Sequence, residues 1–248
     1  MEPLVTTFLA AGMLVAAFGY AAVGHGGASA YLAALGLAGV APAEMRPMAL
    51  VLNLLVSALG TYKFYRAGYF RWRLFWPFAV VSIPLAFAGG AIALPGDTYK
   101  VLVGIVLIYA AWQLWLSARL GNEMRTVREP PLLWAMVVGA LLGFLSGLTG
   151  VGGGIFLSPL LLMMGWAGTK QTSAVAAPFI LVNSLAGLIG GFTMQAATLP
   201  PQVAIFAMAV LIGGWLGAEY GSRRFANPLV RRILAVVLAA AGAKMVFV

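Results

Sequence analysis

Residues 149–159 read TGVGGGIFLSP, four glycines and a proline inside a chain that is otherwise mostly hydrocarbon. A glycine in a helix interior costs about 1 kcal/mol relative to alanine, so an apolar span written this way is interrupted here. The apolar segment that follows, 153–166, is too short to cross a bilayer comfortably, since a spanning helix needs about 20 residues. A second stretch, GHGGAS at 24–29, also precedes an undersized apolar segment, 27–41. The Ser158–Pro159 pair suggests a late helix start, with serine capping and proline in the first turn. Gly150–Gly154 would then be open backbone, which hydrocarbon does not tolerate unless protein or a cavity surrounds it.

The two breaks are in register. Shifted by 126 positions without gaps, Gly24, Gly26 and Gly27 fall on Gly150, Gly152 and Gly153, and Leu35, Gly39 and Ala41 fall on Leu161, Gly165 and Ala167. Further on, Leu55-Val56-Ser57 falls on Leu181-Val182-Asn183. Ten apolar segments recur along the chain, at 4–23, 27–41, 44–64, 74–95, 99–118, 132–149, 153–166, 172–192, 202–221 and 229–247. One hydrophilic stretch, ARLGNEMRTVREPP at 118–131, divides them.

Of 248 residues, 62% are hydrophobic and 8% charged, with a mean hydropathy of +0.99. Such a chain has too little polar surface to face water on all sides. Its apolar runs are continuous, without the alternation of a membrane β-barrel. The fold class is therefore an all-α polytopic membrane protein. Two inverted repeats of about five helical segments each are expected, 1–117 and 132–248, joined by a cytoplasmic linker at 118–131. Glycine-broken or re-entrant hairpins are expected at segments 1–2 and 6–7. The N-terminus has no basic start and reads as the first helix, not as a cleavable signal. The absence of cysteine removes disulfides, thiolate metal sites and cysteine nucleophiles.

Loop charges set the orientation. Counting segments in order puts Lys63, Arg66, Arg71, Arg73, Arg119, Arg125, Arg128, Lys170, Arg223, Arg224, Arg231 and Arg232 on one side, against Arg46, Lys100 and Lys244 on the other. Basic loops face the cytoplasm, so both termini are expected outside. The net charge of +9 thus reports orientation and not nucleic-acid binding. An odd number of segments per half inverts one repeat against the other, an arrangement in which transporters hold substrate near the midplane at discontinuous helices.

Candidate site residues follow from this frame. Gly24, Gly26 and Gly27, with Gly150, Gly152, Gly153 and Gly154, would present backbone N–H groups and helix starts to an anion; close helix packing is the competing account. Asn53, Ser57 and Asn183 are polar in apolar spans, where an amide or hydroxyl needs a partner or a ligand. Ser57 and Asn183 occupy matching places in the repeats. Ser82 and Gln195 are better read as interhelical hydrogen bonders. His25, the one histidine, is suited to carry a proton or donate to an anion near neutral pH, although Val151 stands at the matching position. Arg46 opens the third segment and could recruit an anion, while Lys170 marks the cytoplasmic edge. Six acidic residues are present, and only Glu219 lies near a span interior, four residues before a pairing partner, Arg223. Cation carriers need carboxylates at depth, so a neutral or anionic substrate fits better. No HExxH, carboxylate dyad or serine with an evident base supports an enzyme.

GVGGGIFLSPLLLMMG followed by TKQTSAVAA, together with RPMALVLNLLVSALGTYKFYRAGYFRWRLFWPFAVVSIPLAFAGG in the first half, resembles the sulfite exporter TauE/SafE family, also described as the TSUP transporters. The resemblance covers nearly the whole chain. It implies transport of small sulfur-containing anions such as sulfite, thiosulfate or sulfoacetate, with no cofactor or metal. One departure stands out: Arg46-Pro47 lies where the second repeat has Thr172-Ser173, so the half-sites differ chemically. The expected function is a secondary transporter, an exporter working by alternating access, with proton coupling through His25 or a protonated substrate. An anion channel or permease for another small anion is the alternative, and a membrane-embedded enzyme or assembly subunit a third. The expected partners are a small anionic substrate and the lipid bilayer of a bacterial plasma (inner) membrane. A homodimer stays open, because lipid-facing and partner-facing helix surfaces look alike.

Overall fold

Apolar runs bounded by glycine and proline become helices throughout the computed structural model, which describes residues 2–117, 128–195, 198–223 and 228–247. The described residues form ten helices and no strand: α1 (Pro3–Ala21), α2 (Ala28–Leu37), α3 (Pro42–Arg66), α4 (Trp72–Ala91), α5 (Gly96–Ser117), α6 (Leu132–Thr149), α7 (Gly154–Met163), α8 (Thr169–Gln195), α9 (Val203–Arg223) and α10 (Pro228–Phe247). Each matches one apolar segment of the sequence. The helices α1, α3, α4, α5, α6, α8 and α9 are long and apolar enough to cross a membrane. Most of the expected linker, together with Arg119, Arg125 and Arg224, lies outside the described residues.

The undersized segments are undersized helices. Both α2 and α7 have 10 residues, a rise of about 15 Å and so roughly half the hydrocarbon thickness. Each follows a long helix through a glycine break. Gly24 and Gly27 have φ of 76° and 92°, and their counterparts Gly150 and Gly153 have 85° and 78°; past the short helices, Gly39 and Gly165 have 73° and 66°. Side chains rarely adopt this left-handed region, so the glycine pattern that repeats in sequence repeats as backbone conformation. The late start at Ser158–Pro159 is corrected. Left-handed Gly153 already launches α7 at Gly154, and Pro159 lies inside the helix.

Packing partners also repeat. Exchanging α1 with α6, α2 with α7, α3 with α8, α4 with α9 and α5 with α10 turns the α1–α9 contact into α6–α4. The same exchange turns α3–α9 into α8–α4, α2–α10 into α7–α5 and α2–α3 into α7–α8. Helices α3 and α8 pack on one another across this exchange. Gly60 lies against Ala177, Leu50 against Gly187 and Asn53 against Ser184, so the two run antiparallel.

Two glycine ladders hold the outer contacts. Gly139, Gly143 and Gly147 of α6 face the backbone of Phe78, Ser82 and Ala86 on α4, and Gly213, Gly217 and Gly221 of α9 face Leu14, Phe18 and Ala22 on α1. A β-carbon at any of these glycines would meet a carbonyl oxygen of the facing helix. Close backbone approach of this kind associates helices in lipid, where no hydrophobic force does so. Gly143→Ala should therefore lower the melting temperature in detergent. Overpacking costs about 1–3 kcal/mol, only partly offset by the gain of about 1 kcal/mol in helix propensity. An unchanged melting temperature would mean that α6 can back away from α4.

Candidate functional site

Both glycine breaks converge on one side chain. Asn53, on α3 and 1% exposed, accepts a hydrogen bond at Oδ1 from the backbone N–H of Ala28, the first residue of α2 (3.3 Å). Its Nδ2 donates to the carbonyl of Val151 in the other break (3.4 Å) and to Ser184 Oγ on α8 (2.9 Å). Gly26 and Gly152 both lie against Asn53 and Ile180, where any side chain would collide. Asn53 thus caps α2 and ties the first break to the second. Position 179, its counterpart under the 126-residue shift, is phenylalanine, and the ring lies against Gly153. No side chain among the described residues caps the start of α7 in the way Asn53 caps α2.

Each break also rests on the opening of the other half's long central helix. Gly150 lies against Arg46 near the start of α3, and Gly24 against Ser173 near the start of α8. Ser173 Oγ donates to the Val23 carbonyl (2.8 Å). The expected difference between Arg46-Pro47 and Thr172-Ser173 therefore puts a guanidinium beside one break and a hydroxyl beside the other.

Arg46 is 7% exposed and lines a cavity of about 310 Å³ between the openings of α3 and α5 and the far end of α8. Its Nη1 donates to the carbonyls of Ile92 (3.0 Å) and Leu148 (3.4 Å), and its Nη2 to that of Gly90 (2.5 Å). These carbonyls come from the ends of α4 and α6, where helices leave acceptors unsatisfied. No carboxylate pairs with Arg46 among the described residues. A guanidinium has five N–H donors, so two remain unbonded. Tyr99 and Gln195 share the cavity wall; Tyr99 Oη donates to the Thr149 carbonyl (2.9 Å) and Gln195 Nε2 to the Gly90 carbonyl (2.7 Å). The cavity is otherwise mostly apolar and stops at Leu50, one turn short of Asn53.

The remaining sequence candidates are less open. Ser57 Oγ donates to the Leu54 carbonyl of its own helix (3.2 Å). Asn183 is fully buried; its Nδ2 donates to the Phe179 carbonyl (2.8 Å), and its Oδ1 has no partner among the described residues. His25 is half-buried, its ring edge-on to Tyr20 with centroids 6.3 Å apart. Gln195 makes the expected interhelical bond, whereas Ser82 bonds the Ala79 carbonyl of its own helix. At the opposite end of α3 from the cavity, Glu219 pairs with Arg223 as expected (2.6 Å) and also with Lys63, whose Nζ lies 3.8 Å from the Trp215 ring centroid. Lys170 Nζ donates nearby to the Ser222 carbonyl (2.7 Å). Sequence reasoning missed Tyr99 and Lys63 as structural partners, because each meets residues far away in the chain.

Comparison with known proteins gives a consistent picture. The family model described as Sulfite exporter TauE/SafE matches residues 8–245. The probable membrane transporter protein y4hK of Sinorhizobium fredii is 42% identical over 96% of this chain and 97% of its own. The probable membrane transporter protein ORF9 of a Sinorhizobium species is 25% identical over 87% of this chain and 82% of its own. Half of the chain is 29% identical to the probable membrane transporter protein MJ0441 of Methanocaldococcus jannaschii, covering 46% of that protein. No solved structure matches.

Proposed function

Because the chain belongs to the sulfite exporter TauE/SafE family, we propose that this integral membrane transporter is a secondary exporter of a small sulfur-containing anion, drawn from a class that holds sulfite, thiosulfate or organosulfonates such as sulfoacetate. The observation that carries the reading is Arg46, a buried cation that no carboxylate among the described residues pairs with, on the wall of a cavity beside a glycine break. A membrane-buried charge is expensive and marks a substrate path, and a guanidinium fork suits the two-oxygen face of an oxyanion.

The arrangement of the halves supports alternating access. The antiparallel register of α3 and α8 and the exchange of packing partners support two inverted repeats about a site near the midplane. With the basic loops cytoplasmic, both termini lie outside, in a bacterial plasma (inner) membrane, and the Arg46 cavity opens outward. The Lys63–Glu219–Arg223 cluster and the Lys170 contact then close the cytoplasmic end. From the cavity, substrate would pass Leu50 to the breaks at Gly24–Gly27 and Gly150–Gly154. There Asn53 braces the path and Ser57, Asn183 and His25 stand beside it. Proton coupling, through His25 or a protonated substrate, belongs to the same reading.

The test is uptake and efflux of sulfite, thiosulfate, sulfoacetate, taurine and sulfate by purified protein in liposomes. Saturable flux of at least one sulfur anion, able to run uphill against its gradient, is expected. No flux or binding for any of them would sink the sulfur-anion reading, and unsaturable ohmic current would favour the channel.

A further inference from the structure

Arg46, Tyr99 and Gln195 are the polar side chains that line the cavity, and each has committed part of its hydrogen-bonding capacity to the protein. Arg46 gives three of its five N–H groups to carbonyls and keeps two. Tyr99 gives its only proton to the Thr149 carbonyl, so its oxygen can only accept from a ligand. Gln195 must turn its NH₂ toward the Gly90 carbonyl, which is solely an acceptor. That orientation leaves its Oε1 as the available polar atom. The cavity wall therefore carries one positive charge with two uncommitted N–H groups, two acceptor oxygens, and a remainder of alanine, glycine, proline and leucine.

Charge and hydrogen-bond polarity together narrow the ligand. An oxyanion with one negative charge is neutralised by Arg46 and can take both free N–H groups with two of its oxygens. A dianion would leave a second charge unpaired in an apolar cavity, which costs far more than it recovers, and would turn that charge on the Tyr99 and Gln195 oxygens. A hydroxyl elsewhere on the ligand reverses this, because it donates to one of those oxygens. We propose that the cavity selects singly charged oxyanions carrying a hydrogen-bond donor of their own, and rejects dianions. This rests on the transport reading above and specifies its substrate class. Hydrogen sulfite is taken in preference to sulfite, and a hydroxyalkanesulfonate in preference to thiosulfate or sulfoacetate.

The experiment compares initial flux in liposomes for 2-hydroxyethanesulfonate, ethanesulfonate, sulfoacetate and thiosulfate, and follows sulfite flux across neutral pH. The hydroxylated sulfonate should exceed ethanesulfonate by about tenfold in kcat/KM, the worth of one buried hydrogen bond. The two dianions should fall at least about a hundredfold below it. Sulfite flux should decline as pH rises and hydrogen sulfite loses its proton. Gln195→Met, which removes one acceptor while Arg46 still serves the Gly90 carbonyl, should narrow the gap between the two sulfonates. Thiosulfate or sulfoacetate flux that matches the hydroxylated sulfonate and depends on Arg46 would overturn this selectivity and leave the transport reading standing. Sulfite flux that rises with the dianion would do the same. Absence of flux for every anion would overturn both.

Discussion

Arg46→Gln should abolish anion flux in liposomes, lowering it more than about a hundredfold, with the loss appearing in binding as well as in turnover. Truncating one partner of a buried charged contact costs about 2–5 kcal/mol, and here the lost partner is the only side-chain cation on the cavity wall. Stability should fall too, because the Gly90, Ile92 and Leu148 carbonyls share that guanidinium. Gln195 still serves Gly90, so the expected cost is about 1–3 kcal/mol, visible as a lower melting temperature in detergent. Arg46→Lys separates the two effects. The ammonium keeps the charge but cannot serve three carbonyls and a two-oxygen ligand at once. Its flux should be weak yet measurable, with KM raised more than kcat is lowered. Full flux from Arg46→Gln would remove the cavity from the transport path.

The segment plan could be read from the chain because hydropathy acts locally: each apolar run either spans or does not, and TGVGGGIFLSP interrupts a run wherever the rest of the fold goes. The repeat was legible for a related reason. Left-handed backbone at Gly24, Gly27 and Gly39, and again at Gly150, Gly153 and Gly165, demands glycine, so conformation leaves a mark in sequence. The start of α7 was misplaced because serine and proline are helix-start residues in general, yet a left-handed glycine at 153 had already turned the chain. Partners drawn from distant segments left no such mark. Glu219 could be paired with Arg223 one turn away, but Lys63 lies 156 residues from it. Nothing near Tyr99 in the chain marks the Thr149 carbonyl, 50 residues on, as the acceptor of its hydroxyl. The in-helix glycines at 139, 143 and 147 are a docking surface for α4, which their spacing marks only once the facing helix is known. The 126-residue shift also misdirected attention within the candidate site. It aligned Ser57 with Asn183 and added nothing to Asn53, a candidate only as a polar residue in an apolar span because its counterpart is an apolar ring, although Asn53 is the residue that touches both breaks.

Asn53→Ala should be the most damaging single-atom-group deletion at the two glycine breaks, costing about 3 kcal/mol or more and nearly all flux. Three groups lose their partner at once: the Ala28 N–H at the start of α2, the Val151 carbonyl and the Ser184 hydroxyl. Each buried orphan costs about 1–3 kcal/mol. Asn53→Asp should be worse than alanine, although it keeps an acceptor for Ala28. Its second oxygen would face the Val151 carbonyl, acceptor against acceptor, and a carboxylate at this depth carries about 2.5–3.5 kcal/mol of its own. The pair of variants separates a brace from a ligand. If Asn53 serves mainly to grip the anion, Asn53→Ala should raise KM and leave the melting temperature where it was. If it couples the breaks, both variants should melt early, and residual flux should lose kcat while KM holds. Gly26→Ala offers a check from the opposite side. It leaves the amide in place but drives a methyl into its oxygen, and it should reproduce the loss of kcat only if the contact between the breaks is what moves during transport.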